Sequence, residues 1–146
     1  MPTPASHPLN ILLVEDHKDT NRLVRMSLER RGHTVTTAAS VAEARSAFPA
    51  ANANVLISDI GLPDGNGWEL LREIRATSHV PAIAMSGYGC AEDLRRSQDA
   101  GFHAHLVKPF KVTELEAALR DIGDDLFQPT KEVRGKAEKP KDAKVA

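Results

Sequence analysis

Short apolar runs and amphipathic stretches alternate along the body of the chain. "NILLVED" (residues 10–16) is a continuous apolar run ending in two acids, the pattern of a strand buried on both faces. After it, Leu23, Val24 and Leu28 share one side of a helical period, Arg22, Arg25 and Glu29 fall elsewhere, and Gly32 suits the C-cap. "HTVTTA" (33–38) is β-branched and predicts a second strand. Ser40 followed by Glu43 is a capping box opening a helix with Val41, Ala44 and Phe48 at 3/4 spacing. "NVLISD" (54–59) predicts strand three, a Gly/Pro-rich turn follows, and Gly67, Leu70, Leu71 and Ile74 mark the next helix. "VPAIAMS" (80–86) and "HAHLVK" (103–108) predict strands four and five. The helix between them, 91–100, has a thin apolar face of Ala91 and Leu94 and is expected to be loosely held. Val112, Leu115, Leu119 and Ile122 step by three and four and predict the last helix.

Five strands alternating with five helices imply an α/β fold, a parallel sheet covered on both faces. Right-handed crossovers then bring the carboxyl ends of all strands to one edge, where sheets of this kind bind ligands. The residues at those ends are Glu15 and Asp16, then Ala38 and Ala39, then Asp59, then Ser86 and Gly87, then Lys108 and Pro109. Three carboxylates, a hydroxyl and an ammonium are thus expected to converge. Acids so close repel one another unless a cation joins them. Hard oxygen donors on an open edge suit Mg²⁺, which keeps several waters and takes one or two carboxylates with a phosphate oxygen. Lys108 and Ser86 would supply the positive charge and the donor that a phosphoryl dianion lacks beside carboxylates. A carboxylate can itself be the nucleophile, so these groups point to Mg²⁺-assisted phosphoryl transfer to an aspartate.

Composition narrows the class without changing that picture. The 146 residues are enough for one domain with a real core, and 41% hydrophobic with 27% charged is the balance of a water-soluble chain. No apolar run approaches the roughly 20 residues of a membrane helix, and "MPTPASHPLN" lacks the basic and apolar regions of a signal peptide. Cys90 is the single cysteine, which excludes an internal disulfide and fits a reducing cytoplasm. Net charge is −1, giving the whole chain no nucleic-acid footprint. Residues 128–146 carry five Lys and one Arg against two Glu and one Asp, a net of +3, which leaves −4 on residues 1–127. Such a tail cannot bury enough surface to offset its ordering entropy. The expected organisation is a flexible start at 1–8, one domain at 9–126 and a disordered basic tail at 127–146. Nothing after Ile122 suggests a helix-turn-helix, so direct DNA binding is not expected.

Glu15-Asp16, Asp59 with "LPDGNGWEL" close behind it, Ser86-Gly87 and Lys108-Pro109-Phe110 occur in order and at strand ends. Together they resemble the receiver domain of two-component response regulators, over roughly residues 10–124. The stretch 85–110 looks most like receivers attached to hybrid histidine kinases. The resemblance implies a flavodoxin-like (βα)5 fold with strand order 2-1-3-4-5. It implies a phosphorelay signalling domain, not a turnover enzyme, in which Asp59 accepts a phosphoryl group from a histidine kinase or histidine phosphotransfer protein. Asp16, Glu15, Asp59 and the backbone carbonyl of Gly61 would hold Mg²⁺, directly or through water. Ser86 would hydrogen-bond the phosphoryl group and Lys108 would pair with it. The Lys108–Pro109 peptide is expected to be cis. Ser86 and His105 stand at the family's two switch positions, usually a threonine and an aromatic. Repacking of His105 and the 91–100 helix would remodel a surface for an unknown downstream protein. Pairing of two copies through the last helices is a further implication.

Blander readings stand beside these. Asp59 could merely start an Asx turn, and Glu15 could merely favour a helix dipole. "GNGWEL" lacks the third glycine of a dinucleotide fingerprint and reads as turn and helix-start chemistry. Trp68 is expected as partly exposed packing. The six histidines show no metal spacing; His103 and His105 share one strand face. Tyr88 would flank the site, and nothing beside Cys90 argues for a reactive thiol. Two other functions fit parts of the pattern. A Mg²⁺-dependent phosphohydrolase with an Asp nucleophile would need an acid/base where Gly61 stands. A phosphorylation-independent adaptor would have no use for the site's residues.

Overall fold

The computed structural model describes residues 7–87 and 91–126. Tyr88, Cys90, most of the expected flexible start and the basic tail lie outside the described residues. Within them the order is β1 (Asn10–Val14), α1 (Lys18–Arg30), β2 (Thr34–Ala38), α2 (Val41–Ala51), β3 (Val55–Asp59), β4 (Gly61–Leu62), β5 (Gly65–Asn66), α3 (Gly67–Arg75), β6 (Ala82–Ser86), α4 (Ala91–Ala100), β7 (Ala104–Val107) and α5 (Val112–Leu126). The main sheet is parallel, with order β2-β1-β3-β6-β7. This is the expected 2-1-3-4-5 order, the last two strands being numbered two higher because the short strands β4 and β5 intervene. The turn after Asp59 pairs Gly61 with Asn66 and Leu62 with Gly65 as a two-stranded antiparallel hairpin, β4–β5.

The apolar runs are buried on both faces because alternate residues serve different cores. Ile11, Leu13, Val55, Ile57, Ile83 and Met85 pack beneath α1 and α5, against Val24, Leu28, Leu115, Leu119 and Ile122. Leu12, Val14, Leu56, Ala82 and Ala84 pack on the other face, against Leu70, Leu71 and Ile74 of α3 and Val41 and Ala44 of α2. Each large aliphatic side chain buried this way stabilises the fold by about 1.5–3 kcal/mol relative to exposure. Local signals set the helix ends. Ser40 Oγ accepts from Glu43 N–H, and Glu43 reaches back to accept from Ala39 N–H. Gly32 follows α1 at φ +99°, where a side chain would be strained. Asn66 caps α3 by accepting from Glu69 N–H.

Several side chains depart from the sequence-based expectation. Leu23 and Val112 lie on the predicted apolar stripes but are 67% and 45% exposed, because the sheet covers only the narrower stripes through Val24–Leu28 and Leu115–Ile122. Ala91 and Leu94 are exposed too, so the predicted face of α4 is not the one it buries. The buried residue of α4 is Ser97, held by hydrogen bonds from both sides. Trp68, expected to be partly exposed, is buried; its ring packs into the core while its Nε1–H finds a partner in Ser97 Oγ.

Candidate functional site

Strand register assembles the carboxyl edge. Val14 pairs with both Ala38 and Ser58, Asp59 with Met85, and Ser86 with Val107. The residues just beyond β1, β3 and β7 therefore end level with one another. A backbone bond from Lys108 N–H to Ser86 O, 2.7 Å, ties the lysine to the end of β6, and the Lys108–Pro109 peptide is cis.

Glu15, Asp59, Ser86 and Lys108 meet as the strand ends predict. The Lys108 ammonium donates to Glu15 Oε1 at 2.7 Å and to Asp59 Oδ2 at 2.9 Å. Glu15 is fully buried, and its second oxygen accepts from His17 N–H at 3.0 Å with the His17 ring nitrogen at 3.1 Å. Asp59 is buried, and its other oxygen accepts from Gly61 N–H at 3.3 Å. Asp59, Gly61, Ser86, Lys108, His17 and Trp68 border one cavity of about 600 Å³.

The charges divide unequally. Burial pushes both carboxyls upward. For Glu15 the hydrogen bonds from Lys108 and His17 outweigh it and hold the group below its ordinary value. Asp59 stays raised, by burial first and by the neighbouring Glu15 charge, against the pull of Lys108. Burial alone would lower Lys108, yet its two carboxylate partners hold it above its ordinary value. The site is a half-buried cation shared by two buried acids, one of them held at a cost.

Asp16 is the open donor. Its Oδ1 is buried, makes no hydrogen bond among the described residues and lies 3.6 Å from the His17 ring nitrogen, which leaves it available as a ligand atom. Ligand atoms of Glu15, Asp16, His17 and Asp59 all lie within 4.8 Å of one another. Carboxylate oxygens dominate that set, so the residues fit a hard divalent ion such as Mg²⁺. His17 joins that set through a ring nitrogen, although the six histidines show no metal spacing along the sequence. Residues 15–17 form the turn between β1 and α1, where strand alternation ends and consecutive side chains can point to one side. Adjacency to the acid pair was the available signal.

Gly67 is a second residue that the sequence left as turn chemistry. A Cβ there would stand 2.6 Å from the Asp59 carbonyl oxygen and 3.1 Å from Ser58 Oγ, while Gly67 N–H donates to Ile60 O at 2.9 Å. Only glycine lets α3 start so close behind the acceptor strand. His105, at the switch position, is half-buried, with Nε2 2.7 Å from Ser86 Oγ and Nδ1 2.7 Å from Ser97 Oγ.

A family model for the response regulator receiver domain matches residues 11–120. The chain belongs to that family. The receiver is 37% identical over 111 residues to the KDP operon transcriptional regulatory protein KdpE of Escherichia coli (strain K12), covering 76% of this chain and 49% of that one. It is 36% identical over 110 residues to an uncharacterized 14.6 kDa protein of Leptolyngbya boryana, covering 73% of this chain and 84% of that one. The chain thus spans about half the length of curated relatives such as KdpE. A crystal structure of a two-component response regulator from Clostridium difficile shares the fold, with TM-score 0.78 over 81% of this chain and 98% of that one, at 24% identity. The receiver is a signalling fold of two-component systems, and no described helix is long and apolar enough to cross a membrane.

Proposed function

We propose that Asp59 is the phosphoacceptor of this receiver, taking its phosphoryl group from a phosphohistidine on a histidine kinase or a histidine phosphotransfer protein. The observation that carries this reading is the Lys108 ammonium held between Asp59 and Glu15 in a cavity that Ser86 also borders. An Asp59 oxygen forms the new bond to phosphorus as the donor's P–N bond breaks, and the departing imidazole takes its proton from solvent. Lys108 pairs with the arriving dianion, and Ser86 donates to one of its oxygens. Glu15, with both oxygens occupied, keeps Lys108 charged and in place. Asp16 and Asp59, with Glu15 and the Gly61 carbonyl, are the residues that would hold Mg²⁺; when bound, it neutralises charge on the phosphoryl oxygens.

An apolar groove of about 590 Å³ adjoins the site between α1 and the start of α5, bordered by Leu23, Val24, Pro109, Phe110 and Val112 and sharing Lys108 with it. A donor protein seated there brings its phosphohistidine next to Asp59. The resemblance of residues 85–110 to receivers of hybrid histidine kinases supports a relay of that kind, in the cytoplasm. Output passes to a protein partner through the α4 region, since Ser86 is bonded to His105 and His105 to α4.

Acetyl phosphate with Mg²⁺ tests the reading by intact mass. One added phosphoryl group is expected, absent from Asp59→Asn. No added mass, or mass that persists in that variant, overturns it.

A further inference from the structure

A hydrogen-bonded chain crosses four elements behind the site. Trp68 Nε1–H on α3 donates to Ser97 Oγ on α4 at 2.9 Å. Ser97 Oγ lies 2.7 Å from His105 Nδ1 on β7, and His105 Nε2 lies 2.7 Å from Ser86 Oγ on β6. Trp68, Ser97 and Ser86 are all buried, Ser97 to 1% exposure. A buried serine facing both an indole and an imidazole is not packing alone: leucine or alanine would fill a helix–sheet seam at no polar cost.

The donors and acceptors suggest a direction. An indole nitrogen only donates, so Ser97 Oγ accepts from Trp68. Its own proton is then available to Nδ1, which places the ring proton on Nε2 and points it at Ser86 Oγ. In that arrangement Ser86 gives His105 a lone pair and keeps its own proton for another acceptor. Drawing Ser86 toward an anion on Asp59 stretches the bond to Nε2. The imidazole, held at Nδ1 by Ser97, must then turn, and the partner of the Trp68 indole turns with it. Trp68 is in turn covered by Arg96, whose guanidinium carbon lies 3.8 Å from the ring centroid.

We propose that His105, Ser97 and Trp68 are positioning residues: they hold the Ser86 hydroxyl in its resting place and transmit its displacement to the α3–α4 seam under Arg96. The inference rests on Asp59 being the acceptor. It adds Ser97 and Trp68, which stand at neither switch position, and it makes the output surface the Trp68–Arg96 end of that seam.

Trp68 is the single tryptophan, so its indole N–H resonance is an unambiguous probe. The full chain is titrated with beryllofluoride and Mg²⁺ as wild type, Ser97→Ala and His105→Gln. The glutamine keeps a donor toward Ser86 without reaching Ser97, and keeps the test decisive should Ser97→Ala not fold. At saturation the wild-type resonance is expected to move. Both variants should still bind the mimic, with affinity tightened roughly three- to tenfold, the effect of losing the neutral Ser97–His105 hydrogen bond that both remove from the resting state. Their indole displacement should be lost. Trp68 also borders the cavity, so a direct effect of the anion on the ring would survive both substitutions. A response retained in both variants, or a wild-type resonance unmoved at saturation, overturns the relay. Failure of the acceptor assignment looks different: neither the mimic nor acetyl phosphate engages Asp59 in any form of the chain.

Discussion

The Lys108 ammonium lies 2.7 Å from Glu15 Oε1, although 93 positions separate the two residues. Glu15 is fully buried, so this pairing, together with the bonds from His17, is what allows a charged carboxylate beneath the site. It also sets the charge that Asp59 must tolerate.

Removing one partner or the other should therefore move stability in opposite directions. Lys108→Ala strands two buried acids and is expected to cost about 3 kcal/mol at pH 7. Asp59→Asn removes a carboxyl that burial and Glu15 hold above its ordinary value. An acid raised in the folded state opposes folding once it ionises, so this variant should gain about 0.5–2 kcal/mol at pH 7 without Mg²⁺. Urea denaturation of the two variants beside wild type measures both signs.

Divalent cation should stabilise the fold through the same acids. At a hundredfold excess over its Kd, Mg²⁺ is expected to add about 2.7 kcal/mol. Asp16→Asn should abolish most of that gain while leaving the metal-free protein nearly unchanged, since Asp16 Oδ1 makes no hydrogen bond among the described residues and only a 3.6 Å approach to the exposed His17 ring. Thermal denaturation with and without Mg²⁺ decides it.

Gly67→Ala should push the Asp59 carbonyl away from α3. The clash at 2.6 Å involves backbone and cannot be relieved by rotating a side chain. A loss of about 1–3 kcal/mol is expected, with slower phosphoryl uptake from acetyl phosphate. Uptake at the wild-type rate would show that the strand end adjusts freely.

Leu23→Glu separates docking from chemistry. At 67% exposure the substitution should change stability by less than about 0.5 kcal/mol. Uptake from acetyl phosphate should be unaffected, while transfer from a phosphohistidine protein should weaken by roughly 2 kcal/mol of binding, as for an apolar anchor. Competition between donors, followed by phosphoprotein gel, distinguishes the two.

His33 gives the fold an acid-sensitive point remote from the site. It is buried, and its Nδ1 accepts from Leu9 N–H at 3.0 Å, which only the unprotonated nitrogen can do. Burial first and Arg31 second hold it below its ordinary value, against Glu116. Below about pH 6.5 the unfolded chain takes up this proton more readily than the folded one. Its stabilisation is therefore full above that pH and is lost as pH falls toward the folded value. His33→Asn, which can still accept from Leu9, should show a shallower loss between pH 7.5 and 5.5 in denaturant titrations.

The relation of sequence to structure differs between the strands and the helices. Val55 to Asp59 read as a buried strand because its three leading apolar residues face one core or the other, and only Ser58 intervenes before the tip. Ser40 and Glu43 announced a helix start because both bonds of the cap are local. The buried face of α4 is not legible in its apolar pattern because its buried position is a serine, held by an indole and an imidazole from other elements. The exposure of Leu23 and Val112 is not legible either, because a helical stripe shows which residues could be covered, not how wide the sheet is.

By itself the sequence determined the alternation of elements and the residue at each strand tip, since both depend on neighbours within a few positions. That acids, hydroxyl and ammonium would share one edge followed from parallel topology alone. Only the tertiary structure decided which acid is paired and which is open, that Gly67 must lack a side chain, and that Ser97 and Trp68 reach Ser86 through His105. Those outcomes depend on distances between residues remote along the chain, and in a close-packed interior such distances are settled by every element at once.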